Sequence, residues 1–357
     1  MVSPHAHLPL ISALTTFYRL LVDLRHVPEA KLLEPSWAHS GQAEDAQVWK
    51  RHPPHSINAA AAHLHGFSDA AVDLAYHIPY ITEDYTYIYM ETEAISYLRS
   101  SVAKALEEEK EGKLADWDHY VEVKDPLGEG MDGWDYARDP TYQERTDLWA
   151  GRDVLLLTIG HIYGTELVYD LTRQTITSWY HFRVEHDDFD AVPAYPMTSP
   201  DNPLYVWIRD LLTLRNLAFE SRIFQPHEWP ANPDLAHEWH KFPAVQRWEW
   251  EEMVKDYDAE RDFANVYIEY GWDPQALDVA EREYRDKPIW ERMEQSRKQT
   301  SRNFRGNEFE AYRETWLEEM RARRQQERQA SKARFEGTTQ SNEQHEQNRY
   351  DNTRDEL

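Results

Sequence analysis

The stretch DVLLLTIGHIYGTELVYDLTRQTITSWYHF, Asp153 to Phe182, decides the fold. It is the one long β-like run in a chain that otherwise reads as helix, loop and charged tail. Val154 to Thr158 is continuously apolar, as a strand covered on both faces would be. Thr165–Leu171 and Thr175–Phe182 have strand composition with partial alternation. In the last run Ile176, Ser178, Tyr180 and Phe182 share one face, and Thr177, Trp179 and His181 the other. Gly160 and Gly164 bracket the first turn, and LTRQT (171–175) makes the second. Connections this short favour antiparallel neighbours, so the stretch predicts a three-stranded meander. Three strands with an apolar face need a partner layer. The flanking helices supply it, which makes the fold class α+β: a small antiparallel meander packed by helices. The stretch is expected to be scaffold and not the floor of an active site.

Upstream, Ile11, Leu14, Phe17, Tyr18, Leu21 and Leu24 recur at three- and four-residue spacing, an amphipathic helix stopped before Pro28. Residues 29–54 read as loop. Ser56 is expected to cap INAAAAHLH, with Gly66 at its C′ position, and Ser68 to cap DAAVDLAYH. Ile95, Leu98, Val102 and Leu106 predict a helix ending near Gly112. Residues 113–150 read as a long acidic loop. Downstream, Leu204, Trp207, Ile208, Leu211, Leu212 and Leu214 mark a strongly apolar helix that starts at Asp201 or Asn202. A Pro- and Trp-rich connector follows, then helix from Val245 to a stop at Gly271, then a helix opened by Asp273 and Pro274. The predicted organisation is an α+β core domain over 1–218, a helical extension over 219–287, a charged helical arm over 288–335 and a disordered tail over 336–357.

Composition excludes several chemistries. The 357 residues include no cysteine, which removes disulfides, thiolate metal sites, iron–sulfur clusters and thiol nucleophiles. The net charge of −26 disfavours general nucleic-acid binding, because phosphate contacts need clustered Lys and Arg. Hydrophobic content of 41% with 14 Trp and 21 Tyr suffices for a core. No apolar run approaches the roughly 20 residues of a membrane span. The first residues lack a signal-peptide pattern, and the terminal RDEL is read as a coincidental match to an ER-retrieval tail. The expected location is cytoplasmic, with a nuclear alternative.

The candidate chemical motifs each have a bland competitor. His52, His55, His63, His65 and His77 form a His-rich region, but His63 and His65 are two apart and fall on different helix faces, so surface or capping roles are expected. EHDDFD (185–190) lacks the spacing of a calcium loop and reads as a solvated turn. The glycines of DPLGEGMDGWDYARDP (125–140) lack the following Lys of a phosphate loop. No nucleophile elbow is present. No catalytic, metal or cofactor site is assigned. RARRQQERQASKARF (321–335) is the basic patch, with Arg321, Arg323, Arg324 and Arg328 as candidate nucleic-acid contacts. Trp248 and Trp272 are expected in the core, while Trp229, Trp239, Trp290 and Trp316 are candidate partner-binding residues.

The elements FYRLLVDLRHVP (17–28), LHGFSDAAVDLAYHIPYI (64–81), the meander through Trp179, and LYVWIRDLLTLRNLAF (204–219) resemble, in that order, a group of filamentous-fungal proteins. The apolar run followed by GTELVYDL and a Trp-ending third strand is also similar in style to the SUKH superfamily of cell-wall-assembly regulators and toxin-immunity proteins. The likeness covers about residues 11–218 and rests on apolar patterns. It implies an α+β fold, a protein-binding role and no catalytic residues. The expected function is therefore a non-catalytic protein-binding adaptor or regulator with an unknown protein partner and no membrane. The rivals are an enzyme using Asp, Glu and His beside the meander, and nucleic-acid binding through the basic arm.

Overall fold

The computed structural model describes residues 4–38, 50–82, 87–111, 151–160, 164–180, 193–219, 222–224 and 263–316, with a few helical positions up to 329. The fold is α+β, with small antiparallel sheets among helices. The chain divides into two compact units, Met1–Phe304 and Arg305–Leu357.

The helix α1, Leu8–Asp23, is the centre of the first unit. Its Leu10, Ala13, Leu14, Phe17, Leu20 and Leu21 are buried, as the three- and four-residue spacing requires. Full burial of each large member is worth about 1.5–3 kcal/mol. After Leu32–Leu33 (β1), Trp37–Ala38 (β2) and Lys50–Arg51 (β3) come Ala59–Leu64 (α2) and Ser68-capped Asp69–Ala75 (α3). The cap of α2 corrects the sequence reading: Asn58, not Ser56, accepts from the Ala61 N–H at 3.1 Å. At its other end Gly66 stands at φ 83°, its N–H bonded to His63 and that of Phe67 to Ala62, a closing turn that favours glycine. Tyr80–Ile81 (β4) pairs with β1, and β2 pairs with β3.

Two short strands were not legible: Tyr87–Tyr89 (β5) and Thr92–Ala94 (β6) form an antiparallel pair. The helix expected from Ile95 begins five residues later, as Ser100–Lys110 (α4). Ile95 and Leu98 instead lie in extended chain, the Ile95 N–H bonded to Leu157 O and Leu98 bridged to Ile57.

The meander is present and larger than expected. Val154–Leu156 (β7), Thr165–Asp170 (β9) and Thr175–Tyr180 (β10) are neighbours in order, and Ala194–Pro196 (β11) adds an edge strand. All pairings are antiparallel. The apolar run does not stay in this sheet. At Thr158–Gly160 (β8) it crosses to pair with β6. The Thr158 hydroxyl bridges the gap left behind, donating to Thr165 O and accepting from the Leu167 N–H, each at 2.8 Å. The Thr92 hydroxyl accepts the Thr165 N–H at 2.8 Å. Gly160 passes so close to Gly164 that a Cβ would lie 2.8 Å from the Gly164 carbonyl carbon. Leu155, Leu167, Tyr169 and Ile176 are buried on one face and Leu156, Val168 and Thr177 on the other, so the meander is covered on both faces.

Asn202 caps Pro203–Leu212 (α5), accepting from the Leu204 N–H at 3.1 Å. The helix packs on α1 and β10, with the Trp207 ring stacked on Tyr89 at 4.2 Å. Leu217–Phe219 (β12) and Arg222–Phe224 (β13) then form a hairpin, so the residue-218 boundary of the sequence reading falls inside a strand. Residues 263–269 (α6) are helical and stop at Gly271, φ 96°, where a Cβ would run into the Asn303 carbonyl oxygen. Trp272 is core, its indole N–H donating to Leu212 O at 3.1 Å. Trp248 lies outside the described residues. The next helix is Ala276–Glu283 (α7), two residues later than the Asp273–Pro274 start expected.

Ile289–Asn303 (α8) packs on α1 and α7 with Met293, Ser296, Arg297 and Thr300 buried. Arg297 grips Glu294 through Nε and Nη2 at 2.8 and 2.9 Å and pairs with Asp23 of α1. Ser301 donates to the same Asp23, and Thr16 donates to Glu294 at 3.2 Å. The first half of the expected charged arm thus belongs to the first unit. In the second unit residues 306–316 are helical, with an Arg305–Glu308 pair at 2.8 Å and Tyr312 exposed. The expected tail, 336–357, lies outside the described residues.

Candidate functional site

Chemistry beside the meander would need ionisable groups that converge and remain free to act. Among the described residues, His7, Tyr169, Tyr97 and Asp153 are tied to one another, to backbone and to a cap. His7 reaches the Tyr169 hydroxyl from the chain start, 2.8 Å from Nδ1, with its ring edge-on to Tyr169. Burial lowers the His7 pKa and raises that of Tyr169, so both are neutral at ordinary pH. Tyr97 donates to Leu156 O at 2.8 Å, bracing the β7 edge. The carboxylate of Asp153 accepts from Ser68 at 2.5 Å, and Ser68 in turn caps α3.

The His-rich region resolves in the same way. His52 is buried and its Nε2 lies 2.9 Å from Ile78 O, which fixes that nitrogen as the donor. Burial lowers its pKa to about 4. His77 Nδ1 lies 2.8 Å from Lys50 O, and His26 Nε2 2.6 Å from Tyr87 O. His63 pairs with Asp69 at 3.0 Å across the α2–α3 turn. His55 holds φ 65° in the turn before Ser56. Among the described residues no group of three or more His, Cys, Asp or Glu could hold a metal ion.

The candidate partner-binding Trp residues divide. Trp290 lies half-buried on α8 in the first unit, and Trp316 half-buried at the end of the 306–316 helix in the second. Trp229 and Trp239 lie outside the described residues, as do Arg321, Arg323, Arg324 and Arg328, EHDDFD (185–190) and the acidic loop 113–150.

One grouping was not anticipated. The Arg51 guanidinium carbon sits 4.3 Å from the centre of the Tyr76 ring. The Tyr76 hydroxyl donates to Ile57 O at 3.4 Å, and Arg99 acts on the same phenol electrostatically. Burial raises the Tyr76 pKa, and both arginines pull it back. The Arg99 N–H donates to Ser56 O at 2.8 Å, which sets the start of α4 against Ser56. Ser56 is fully buried, and having lost the cap of α2 to Asn58 its hydroxyl has no hydrogen-bond partner. The Nε atoms of Arg51 and Arg99 are buried and equally unpartnered. Among the described residues neither arginine forms an ion pair with a carboxylate. Their sequence separation of nearly fifty residues left no signal in the chain.

No protein-family model, no curated protein and no solved structure matches the chain. No helix among the described residues is long and apolar enough to cross a membrane.

Proposed function

We propose that this chain is a non-catalytic protein-binding adaptor or regulator, the role that the SUKH-like order of its elements implies. One observation carries the reading. Among the described residues, titratable side chains beside the meander bond backbone, a cap and one another, as Tyr97, Asp153, His7 and Tyr169 do. A catalytic acid or base must instead face a substrate with its proton free to move. Charge that is left uncompensated, on Arg51 and Arg99, suits recognition better than turnover. The test is affinity purification of the tagged full-length chain from its native cells, with the co-eluting proteins quantified by mass spectrometry. A protein retained in near-equal amount is the expected outcome. Elution of the chain alone at every salt concentration refutes the adaptor reading.

A further inference from the structure

We propose that Arg51, Arg99 and Ser56, gathered around Tyr76, form a binding site for a phosphate group. The inference rests on the reading of the chain as a binding protein and names the chemistry that this part of it recognises. Stacking on the Tyr76 ring occupies the face of the Arg51 guanidinium and leaves its in-plane donors for another group. Arg99 brings a second fork, and Ser56 a buried hydroxyl with nothing of the protein to bond. The first turn of α4 adds backbone N–H groups, because its first residues have no partner inside the helix.

A buried donor without a partner costs stability, and two arginine Nε atoms drawn to one tyrosine, with the Ser56 hydroxyl on the segment that bonds both Tyr76 and the Arg99 N–H, leave room for an acceptor from outside. A carboxylate offers two oxygens, fewer than two guanidinium forks and a hydroxyl can engage. A tetrahedral phosphate offers three or four and twice the charge. The surroundings sharpen the point. In a chain of net charge −26, carboxylates are abundant, yet neither arginine has one within ion-pair distance among the described residues.

Purified full-length chain should show a rise in Tm with inorganic phosphate that chloride at matched ionic strength does not produce. Isothermal titration should locate the binding on the two arginines. Arg51→Gln and Arg99→Gln should each weaken it roughly ten- to a hundredfold. Arg51→Lys and Arg99→Lys keep the charge, lose the fork and should fall between. The lysine variant at position 51 also keeps a cation over Tyr76, so it remains informative should Arg51→Gln fail to fold by far-UV circular dichroism. A phosphoserine peptide that binds more tightly than inorganic phosphate identifies a modified protein as the source. Equal affinity identifies free phosphate. A Tm response no larger than that to chloride, or full phosphate affinity in Arg99→Gln, overturns the site. Partner capture does not depend on this outcome, so loss of phosphate binding with a retained partner separates the two failures.

Discussion

His52 makes the stability of this fold depend on pH in a calculable way. It is 1% exposed, donates through Nε2 to Ile78 O and packs 5.1 Å from the Tyr80 ring. Burial opposes placing a cation there, and the neighbouring His77 opposes it further. The folded-state pKa is therefore about 4, against 6.5 in an open chain. A base with a depressed folded pKa binds its proton more readily when unfolded. Its contribution is whole above pH 6.5 or so, declines as the pH falls and levels off below about 4. The full difference is about 3 kcal/mol, of which about 2 kcal/mol is lost between pH 7.5 and pH 5. Urea unfolding at those two pH values measures it. His52→Gln, whose amide can still donate to Ile78 O, should remove most of that loss. Glu294 does not confuse the window, because its partners Arg297 and Lys298 hold its pKa below the ordinary carboxylate value, so its share is lost at lower pH. His7 adds a smaller slope of the same sign. An unchanged slope in His52→Gln would refute the assignment.

Arg297→Ala should cost about 2–4 kcal/mol in denaturant unfolding, because it removes the guanidinium shared by Asp23 and Glu294, whose side chains are only 23% and 16% exposed; a loss under about 0.5 kcal/mol would mean that α8 is held by its other contacts alone. Gly160→Ala should lower stability by about 1–3 kcal/mol, since the added methyl meets Gly164 backbone at 2.8 Å and not a movable side chain; thermal unfolding at the wild-type Tm would show that the β8 crossing is not tight.

What could be read from the sequence was what is decided within a few residues. Most of the α1 face follows from spacing alone, since Leu14, Phe17, Tyr18 and Leu21 are all buried and Ile11 is half-buried. Ser68, Gly66 and Gly271 act within a turn of their own position, so their cap and stop roles could be read directly, and the same locality narrowed the next cap to Asp201 or Asn202. The meander was legible for the same reason, its strands being joined by short turns. The departure of β8 into a second sheet was not. That crossing is set by Thr158 and Thr92 hydroxyls standing in for ladder groups, and Thr92 lies more than sixty residues away. Three-residue strands such as β5 and β6 are too short to show a period.

The packing of α8 was hidden by a different rule. A search for apolar periodicity finds little in IWERMEQSRKQTSRN, and the segment reads as a solvated arm. Its buried face is Met293, Ser296, Arg297 and Thr300, which is a helical stripe with mostly polar members. Arg297 in that stripe is neutralised by Glu294 on its own helix and by Asp23 on α1, and the second partner is unknowable until both helices are placed. Arg51 and Arg99 are the complementary case. They too are charges drawn inward by tertiary structure, but here the fold supplies an aromatic ring and an idle hydroxyl in place of a carboxylate. A buried arginine that meets its acid within the chain stabilises the chain. Two that meet none among the described residues leave a local excess of positive charge, which an anion from outside would stabilise. That contrast between Arg297 and the Arg51–Arg99 pair separates structure from recognition in this protein, and it appears only once residues nearly fifty apart have been brought to the same tyrosine.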